Sequence, residues 1–344
     1  MTAGRPGRRV TTRDVAARAG VSQPTVSMVL SRNPTARVAA ETQARVLQAA
    51  EELGYRPNVL ARGLAQRRSF ALGIVVPELR NPFFIDVISG AERVAAEQQY
   101  AVLLSETGGR SPLAHLEALQ GRQIDGIIID AASAAAVPTS ALAGTHVVLI
   151  DEPSQRWPGV ASDAAAAGRQ AAEHLLALGH REIAFIGPAD DVHGVRLRER
   201  GFVQTLRAAG IGLPSEWLRR TPATAAGGHE AMRLLLTRTR RPTAVFCAND
   251  LCALGALKAC AAAGVQVPRD LSVVGCDDIE MARLVTPELT TVAVPARELG
   301  ARAARLLLRT LSGVEPDTRP ARLLAVRLVA RGTSGPAPAT RSLP

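Results

Sequence analysis

Residues 11–30, TTRDVAARAGVSQPTVSMVL, leave the N-terminal end of this chain little conformational freedom. Thr11 and Asp14 stand at capping-box spacing, so the threonine hydroxyl can accept from an orphan amide of the first helical turn while the carboxylate sits at the positive helix end. A helix therefore begins here. Val15, Ala16 and Ala19 give it a small apolar face, and Gly20 supplies the left-handed residue that stops it. Ser22 can cap a second helix after a very short turn, where Pro24 is tolerated because its missing amide would have had no partner. Two short helices so tightly joined predict a helix-turn-helix. Val26, Val29 and Leu30 then face inward and Gln23, Pro24, Ser27 and Met28 outward. Residues 41–53 predict a third helix, with Val46, Leu47, Ala50 and Leu53 spaced for one buried stripe. The competing reading, a helical hairpin with no nucleic-acid role, is one that any alanine-rich segment can satisfy.

Charge separates the two. Residues 1–68 carry twelve arginines against four acids, a net +8 of the chain's +10. Such concentration is the footprint of phosphate contact, which gives salt-dependent affinity without sequence information. A reading helix offers its N-terminal residues to base edges in the major groove. Thr11, Ser22, Gln23, Pro24, Thr25, Ser27 and Met28 are therefore the candidates for DNA contact in this domain. Met28 cannot donate a hydrogen bond but can pack on a thymine methyl, and Gln23 can pair with adenine.

From Phe70 the pattern changes. ALGIVV, YAVLLS, DGIIID, HVVLID, EIAFIG, TAVFCA and LSVVGC are short apolar runs separated by helix-length segments, which predicts parallel sheets with helices on both faces. The length implies two α/β halves and a cleft. TVAVP leading into ARELGARAARLLL suggests that the chain returns to the first half before finishing in the second with RLLAVRLVAR. Ligands in such folds sit outside the carboxyl ends of strands. Those ends give Phe83 and Phe84, Asp151, Arg198, Phe246, Asn249 with Asp250, and Asp277 with Asp278. Asp277 or Asp278 capping a helix, and the phenylalanines as ordinary core, are the plainer alternatives.

Several classes are disfavoured by what the sequence lacks. There is no G-x-S-x-G elbow, phosphate loop, H-E-x-x-H or dinucleotide glycine pattern, so no catalytic residue is expected. Cys247, Cys252, Cys260 and Cys276 have no metal spacing and read as buried, reduced thiols, so no metal or other cofactor is expected. His174 and His180 read as structural. No apolar signal region or bilayer-length run is present, which predicts a cytoplasmic protein and opposes a secreted sugar-binding one. GTSGPAPATRSLP at the C-terminus reads as disordered.

The residues resemble the LacI/GalR family of bacterial transcription regulators. The matching elements are DVAARAGVSQPTVSMVL, ETQARVLQAAEELGYRPN and VLARGL. The likeness continues through LGIVVPELRNPFF at 72–84, IDGIII at 124–129, GHREIAFIGP at 179–188, RPTAVFCAND at 241–250, VPRDLSVVGCDDI at 267–279 and TPELTTVAVP at 286–295. The resemblance implies a homodimer on a pseudo-palindromic double-stranded operator, with a hinge helix that wedges Leu64 into the minor groove beside Ala61 and Arg62. Pro57 and Asn58 match the turn entering that helix. It also implies a periplasmic-binding-protein-like core in which Arg198, Asn249 and Asp277 hold sugar hydroxyls. The expected function is a repressor under control of a sugar or sugar derivative. A purine or nucleoside effector, the loss of effector control, and a sugar-binding protein or enzyme without a DNA role are the alternatives.

The expected domains are 1–57 for DNA binding, 58–69 for hinge and linker, 70–333 for the core and 334–344 for a disordered tail. Within the core, 70–161 with 296–322 form one subdomain and 162–295 with 323–333 the other. Three departures bear on specificity: Met28 stands where a long basic or polar residue is common, Ala65 follows the wedge, and Ala39 occupies a capping position.

Overall fold

A computed structural model describes residues 10–30, 38–55, 63, 68–108, 111–151, 157–189, 193–314 and 323–338. The chain divides into two compact units, Met1–Ser69 and Phe70–Pro344.

In the first unit, α1 (Thr12–Ala19), α2 (Gln23–Leu30) and α3 (Ala40–Glu52) bury Val15, Ala16, Ala19, Val26, Val46, Ala49 and Ala50 against one another. The capping box is formed: Asp14 N–H donates to Thr11 Oγ1 at 3.4 Å, and Thr11 N–H donates back to Asp14 Oδ2 at 2.8 Å. Gly20 adopts φ 67°, ψ 37°, and its amide and that of Val21 both return to the Ala16 carbonyl. Leu47 departs from the expected stripe, being 54% exposed, whereas Ala49 is buried. Position 47 lies 100° around the helix from Val46, and a three-helix unit offers α3 neighbours on one side only. Ala39 gives α3 no side-chain cap. Pro57, Asn58, Ala61, Arg62, Leu64 and Ala65 lie outside the described residues.

In the second unit, β1 (Ala71–Val76), β2 (Ala101–Glu106), β3 (Gly126–Asp130), β4 (His146–Ile150) and β5 (Gly159–Val160) form a parallel sheet in the order β2-β1-β3-β4-β5. Its helices are α4 (Pro82–Glu97), α5 (Pro112–Gln120) and α6 (Ala131–Ala135). The chain then builds α7 (Ala164–Ala177), β6 (Ile183–Pro188), α8 (His193–Ala208), β7 (Leu218–Thr221), α9 (Ala225–Leu236), β8 (Ala244–Cys247), α10 (Asp250–Ala262), β9 (Ser272–Asp277) and β10 (Thr290–Ala293). It crosses back as α11 (Ala296–Leu311), which packs on α4, β3 and β4, before β11 (Arg327–Val329) closes the second sheet. That sheet runs β11-β10-β9-β8-β6-β7. It is parallel except for β11, which pairs antiparallel with β10 through Thr291↔Val329. The expected parallel sheets are formed, with β11 added antiparallel at the edge of the second.

The expected disordered tail is corrected for residues 334–338, which pack on the second half; residues 339–344 lie outside the described residues. Ser334 Oγ meets His174 Nε2 at 2.8 Å and Thr290 Oγ1 at 2.9 Å, and Ala337 N–H donates to the Leu178 carbonyl at 2.8 Å. Small residues suit this close backbone approach, so a composition that reads as disordered is ordered by contacts with distant strands. His180, fully buried, lies at the same junction, with Nδ1 2.9 Å from Thr243 Oγ1 and Nε2 3.1 Å from both Ser272 Oγ and the Gly335 carbonyl.

Burial holds His180 below the usual imidazole value; the Gly335 carbonyl pulls it back up and His174 pushes it further down. The fold thus favours neutral His180, while the unfolded chain takes a proton at roughly pH 6.5. Its contribution is fully present above that pH and is lost as pH falls below it. In urea titrations the stability gap between the wild type and His180→Gln should narrow from pH 7.5 to pH 5.5. A constant gap would show that this imidazole does not govern acid stability.

Candidate effector cleft and DNA-reading helix

The carboxyl ends of both sheets open on one cavity of about 560 Å³. A cavity of this size is typical of small-molecule sites. The first sheet contributes Thr107 after β2, Asp130 at the end of β3 and Asp151 after β4, and the second contributes Asn249 after β8 and Asp277 at the end of β9. Arg198 enters from α8 and Phe83 and Phe84 from α4. This placement follows from parallel strand direction: every strand delivers its last side chain to the same edge.

Arg198 is the electrostatic centre. It is 9% exposed, donates through Nη1 to the Ala248 carbonyl, and has Asp277 Oδ1 at 3.8 Å. Its Nε is buried without a hydrogen-bond partner. Burial pushes the Asp277 carboxyl well above the ordinary range; Arg198 draws it down, and Asp250 and Asp151 push it up again. Asp151 is likewise raised by burial, lowered by Arg198 and raised by Asp130. Its backbone holds φ 69° and that of Asp277 φ 126°. Positive φ at a non-glycine residue carries a cost and is met most often at sites that must aim a side chain.

Asn249 caps α10, accepting from Cys252 N–H at 2.9 Å and donating to the Ala223 carbonyl at 3.1 Å, while still lining the cavity. Asp250 is buried below it, accepting from Thr291 Oγ1 at 2.6 Å and from Ile279 N–H at 3.0 Å, and burial pushes its carboxyl up to about 6. Neither Asp277 nor Asp278 caps a helix. Asp278 pairs instead with Arg331 at 2.5 Å and Arg283 at 3.1 Å.

Phe246 is corrected. It is fully buried and packs against Phe202 at 5.0 Å and Phe185 at 5.7 Å between ring centroids, beneath the sheet and away from the cavity. A strand covered on both faces alternates its side chains between two apolar layers, and position 246 falls on the inner one. Phe83 lines the cavity at 6% exposure, edge-on to Phe84 at 5.3 Å. Asp130 was missed although the signal was available, because DGIIID ends in an acid just as HVVLID does. Ser162, His193 and Thr224 also line the cavity, and for these no sequence signal is evident.

On the first unit, Pro24, Ser27 and Met28 are exposed along α2, with Met28 39% exposed. Ser22 Oγ accepts from Thr25 N–H at 3.3 Å and meets Thr25 Oγ1 at 2.8 Å, while Gln23 Nε2 donates to Thr12 Oγ1 at 2.8 Å. Thr11 Oγ1 donates to Asp14 Oδ2 at 2.7 Å. Gln23 therefore ties α2 to α1, whereas Ser22 with Thr25 and Thr11 with Asp14 bond within the first turn of their own helices.

Comparison with known proteins decides the family. The model of bacterial regulatory proteins, lacI family, matches residues 11–58, and that of the periplasmic binding protein-like domain matches residues 172–334. Catabolite control protein A of Priestia megaterium is 32% identical over 310 residues, covering 88% of this chain and 93% of that protein. The lac repressor dimer bound to operator and the anti-inducer ONPF superposes with a TM-score of 0.81 at 31% identity, over 95% of this chain and 100% of that one. The chain belongs to the LacI family. A LacI family regulator from Enterococcus faecium, solved with bound ribose, gives a TM-score of 0.69 at 30% identity over 77% of this chain and 99% of that one. As a LacI-family member the chain is a helix-turn-helix transcriptional regulator with a periplasmic-binding-protein-like core. Among the described residues no helix is long and apolar enough to cross a membrane, and no group of three or more His, Cys, Asp or Glu is placed to hold a metal ion.

Proposed function

We propose that this protein is a homodimeric repressor of the bacterial cytoplasm that reads a pseudo-palindromic operator and is relieved by a sugar or sugar derivative bound in the cleft. The carrying observation is the convergence of Asp151, Arg198, Asn249 and Asp277 from both sheets on one cavity. Hydroxyl-rich ligands need fixed donors and acceptors of this kind, and a ligand that touches both halves favours one relative orientation of them. A nucleobase calls for an open aromatic face; with Phe246 in the core and Phe83 almost covered, only Phe84 remains half-exposed to supply one. The protein binds its effector and releases it unchanged. On the DNA side, α2 reads the major groove through Gln23, Pro24, Ser27 and Met28, and Leu64 wedges the minor groove beside Ala61 and Arg62, with Asn58 capping that segment.

Thermal denaturation against a panel of sugars, purines and nucleosides tests the ligand class. Fluorescence anisotropy on labelled DNA from upstream of the gene tests the output. A sugar should raise the melting temperature and weaken the DNA complex at the same concentration. A response to nucleosides alone would sink the sugar reading.

A further inference from the structure

Asp130 is a carboxylate with one oxygen employed and the other not. Oδ1 accepts from Ser133 N–H at 3.0 Å and caps α6. Oδ2 is buried and without a hydrogen-bond partner, in a residue only 6% exposed that lines the cleft. A capping role accounts for the first oxygen only, and a serine or asparagine would fill it without burying a charge. A buried carboxylate oxygen left unpaired is costly unless something that binds there donates to it.

The charges around it point the same way. Among the described residues the cavity is lined by the carboxylates of Glu78, Glu106, Asp130, Asp151 and Asp277 and by the guanidinium groups of Arg80 and Arg198. Arg80 is paired with Glu78 at 2.8 Å, and Arg198 lies against Asp277 and acts on Asp151. Burial raises the Asp130 carboxyl, opposed by hydrogen bonds from Ser133, Ala132 and its own amide. In the β3–β4 register Asp130 is opposite Ile150, so Asp151 follows one residue beyond. Neighbouring strands run about 4.8 Å apart, both side chains line the cavity, and the Asp130 charge pushes the Asp151 carboxyl up.

We propose that Asp130 and Asp151 receive a protonated amine of the effector, so that the ligand class is an amino sugar or similarly amine-bearing polyol. An ammonium has three donors and no acceptor, which suits two adjacent carboxylates of which one is unpaired. The assignment rests on the sugar reading of the cleft and narrows it.

Isothermal titration of the full-length protein tests it with glucosamine, galactosamine and mannosamine, each beside its neutral parent hexose and its N-acetyl derivative, at matched ionic strength. At least one amine should bind tenfold or more tightly than its parent. Asp130→Asn, which keeps the cap, should weaken that amine at least tenfold more than it changes the affinity of the parent. Equal binding of amine and parent, or no binding by any amine, overturns the amine assignment. If neutral sugars still bind, the sugar reading survives that loss; if only nucleosides bind, both fall. Binding of calcium chloride that matches the amine would show a simple cation site and also overturns it.

Discussion

Replacing Arg198 by methionine should cost the core unit about 3–5 kcal/mol, the usual penalty for breaking a buried ion pair from one side. The guanidinium is buried, holds the Ala248 carbonyl and faces Asp277 across 3.8 Å. Without it, the Asp277 and Asp151 carboxyls lose the Arg198 charge that lowers them, and the Ala248 carbonyl loses a donor. The diagnostic is the second variant. Arg198→Met combined with Asp277→Asn removes both charges and should be more stable than the single Arg198→Met by 1 kcal/mol or more, because the uncompensated carboxylate is gone. Urea unfolding measures both. A single variant within about 1 kcal/mol of wild type, or a double variant less stable than the single, would show that the pair contributes little. Neither variant should respond to ligand, so loss of response with recovered stability separates the binding role from the structural one.

Gly168→Ala should also be strongly destabilising, by about 3 kcal/mol, and should weaken the effector response through Arg198. A Cβ at position 168 would lie 1.7 Å from the Arg198 carbonyl oxygen and 2.7 Å from Phe202 N. The approach is reciprocal, since a Cβ on Gly201 would lie 2.1 Å from the Ala165 carbonyl oxygen. Alanine gains roughly 1 kcal/mol of helix propensity over glycine, but rigid backbone cannot yield as a side-chain tip does, and overpacking of this severity outweighs that gain. The helices α7 and α8 must therefore part, and α8 carries Arg198. Gly201→Ala should cost a similar amount. The two together should cost less than their sum, because the first substitution already opens the space for the second. Additive losses in urea unfolding would show two independent local defects, and a Gly168→Ala protein as stable as wild type would show that the close approach does not hold the helices.

The site was partly legible because parallel strands end on one edge. Asp151, Arg198, Asn249 and Asp277 were found by reading strand ends, and all four line the cavity. Phe246 was misassigned by the same rule. In a strand covered on both faces, periodicity leaves undecided which apolar layer a side chain enters, and here it enters the phenylalanine cluster with Phe185 and Phe202. Leu47 failed for a related reason: a helical stripe gives the direction of the apolar face without its width, which the small first unit limits to Val46, Ala49 and Ala50. Residues 334–338 were misread because their ordering comes from Thr290, His174 and Leu178, far away in sequence.

The sequence by itself determined the helix-turn-helix, the alternation of strands and helices and the concentration of basic charge at the N-terminal end. Caps, left-handed stops, apolar periods and charge counts act over a few residues and need no knowledge of the rest. Only the tertiary structure decided which strand-end side chains face the cavity and which are already satisfied. Arg198 and Asp277 meet across 79 positions of sequence. The unpaired Asp130 Oδ2 is a property of everything packed around it, and burial, which makes that oxygen informative, exists only once the chain has folded.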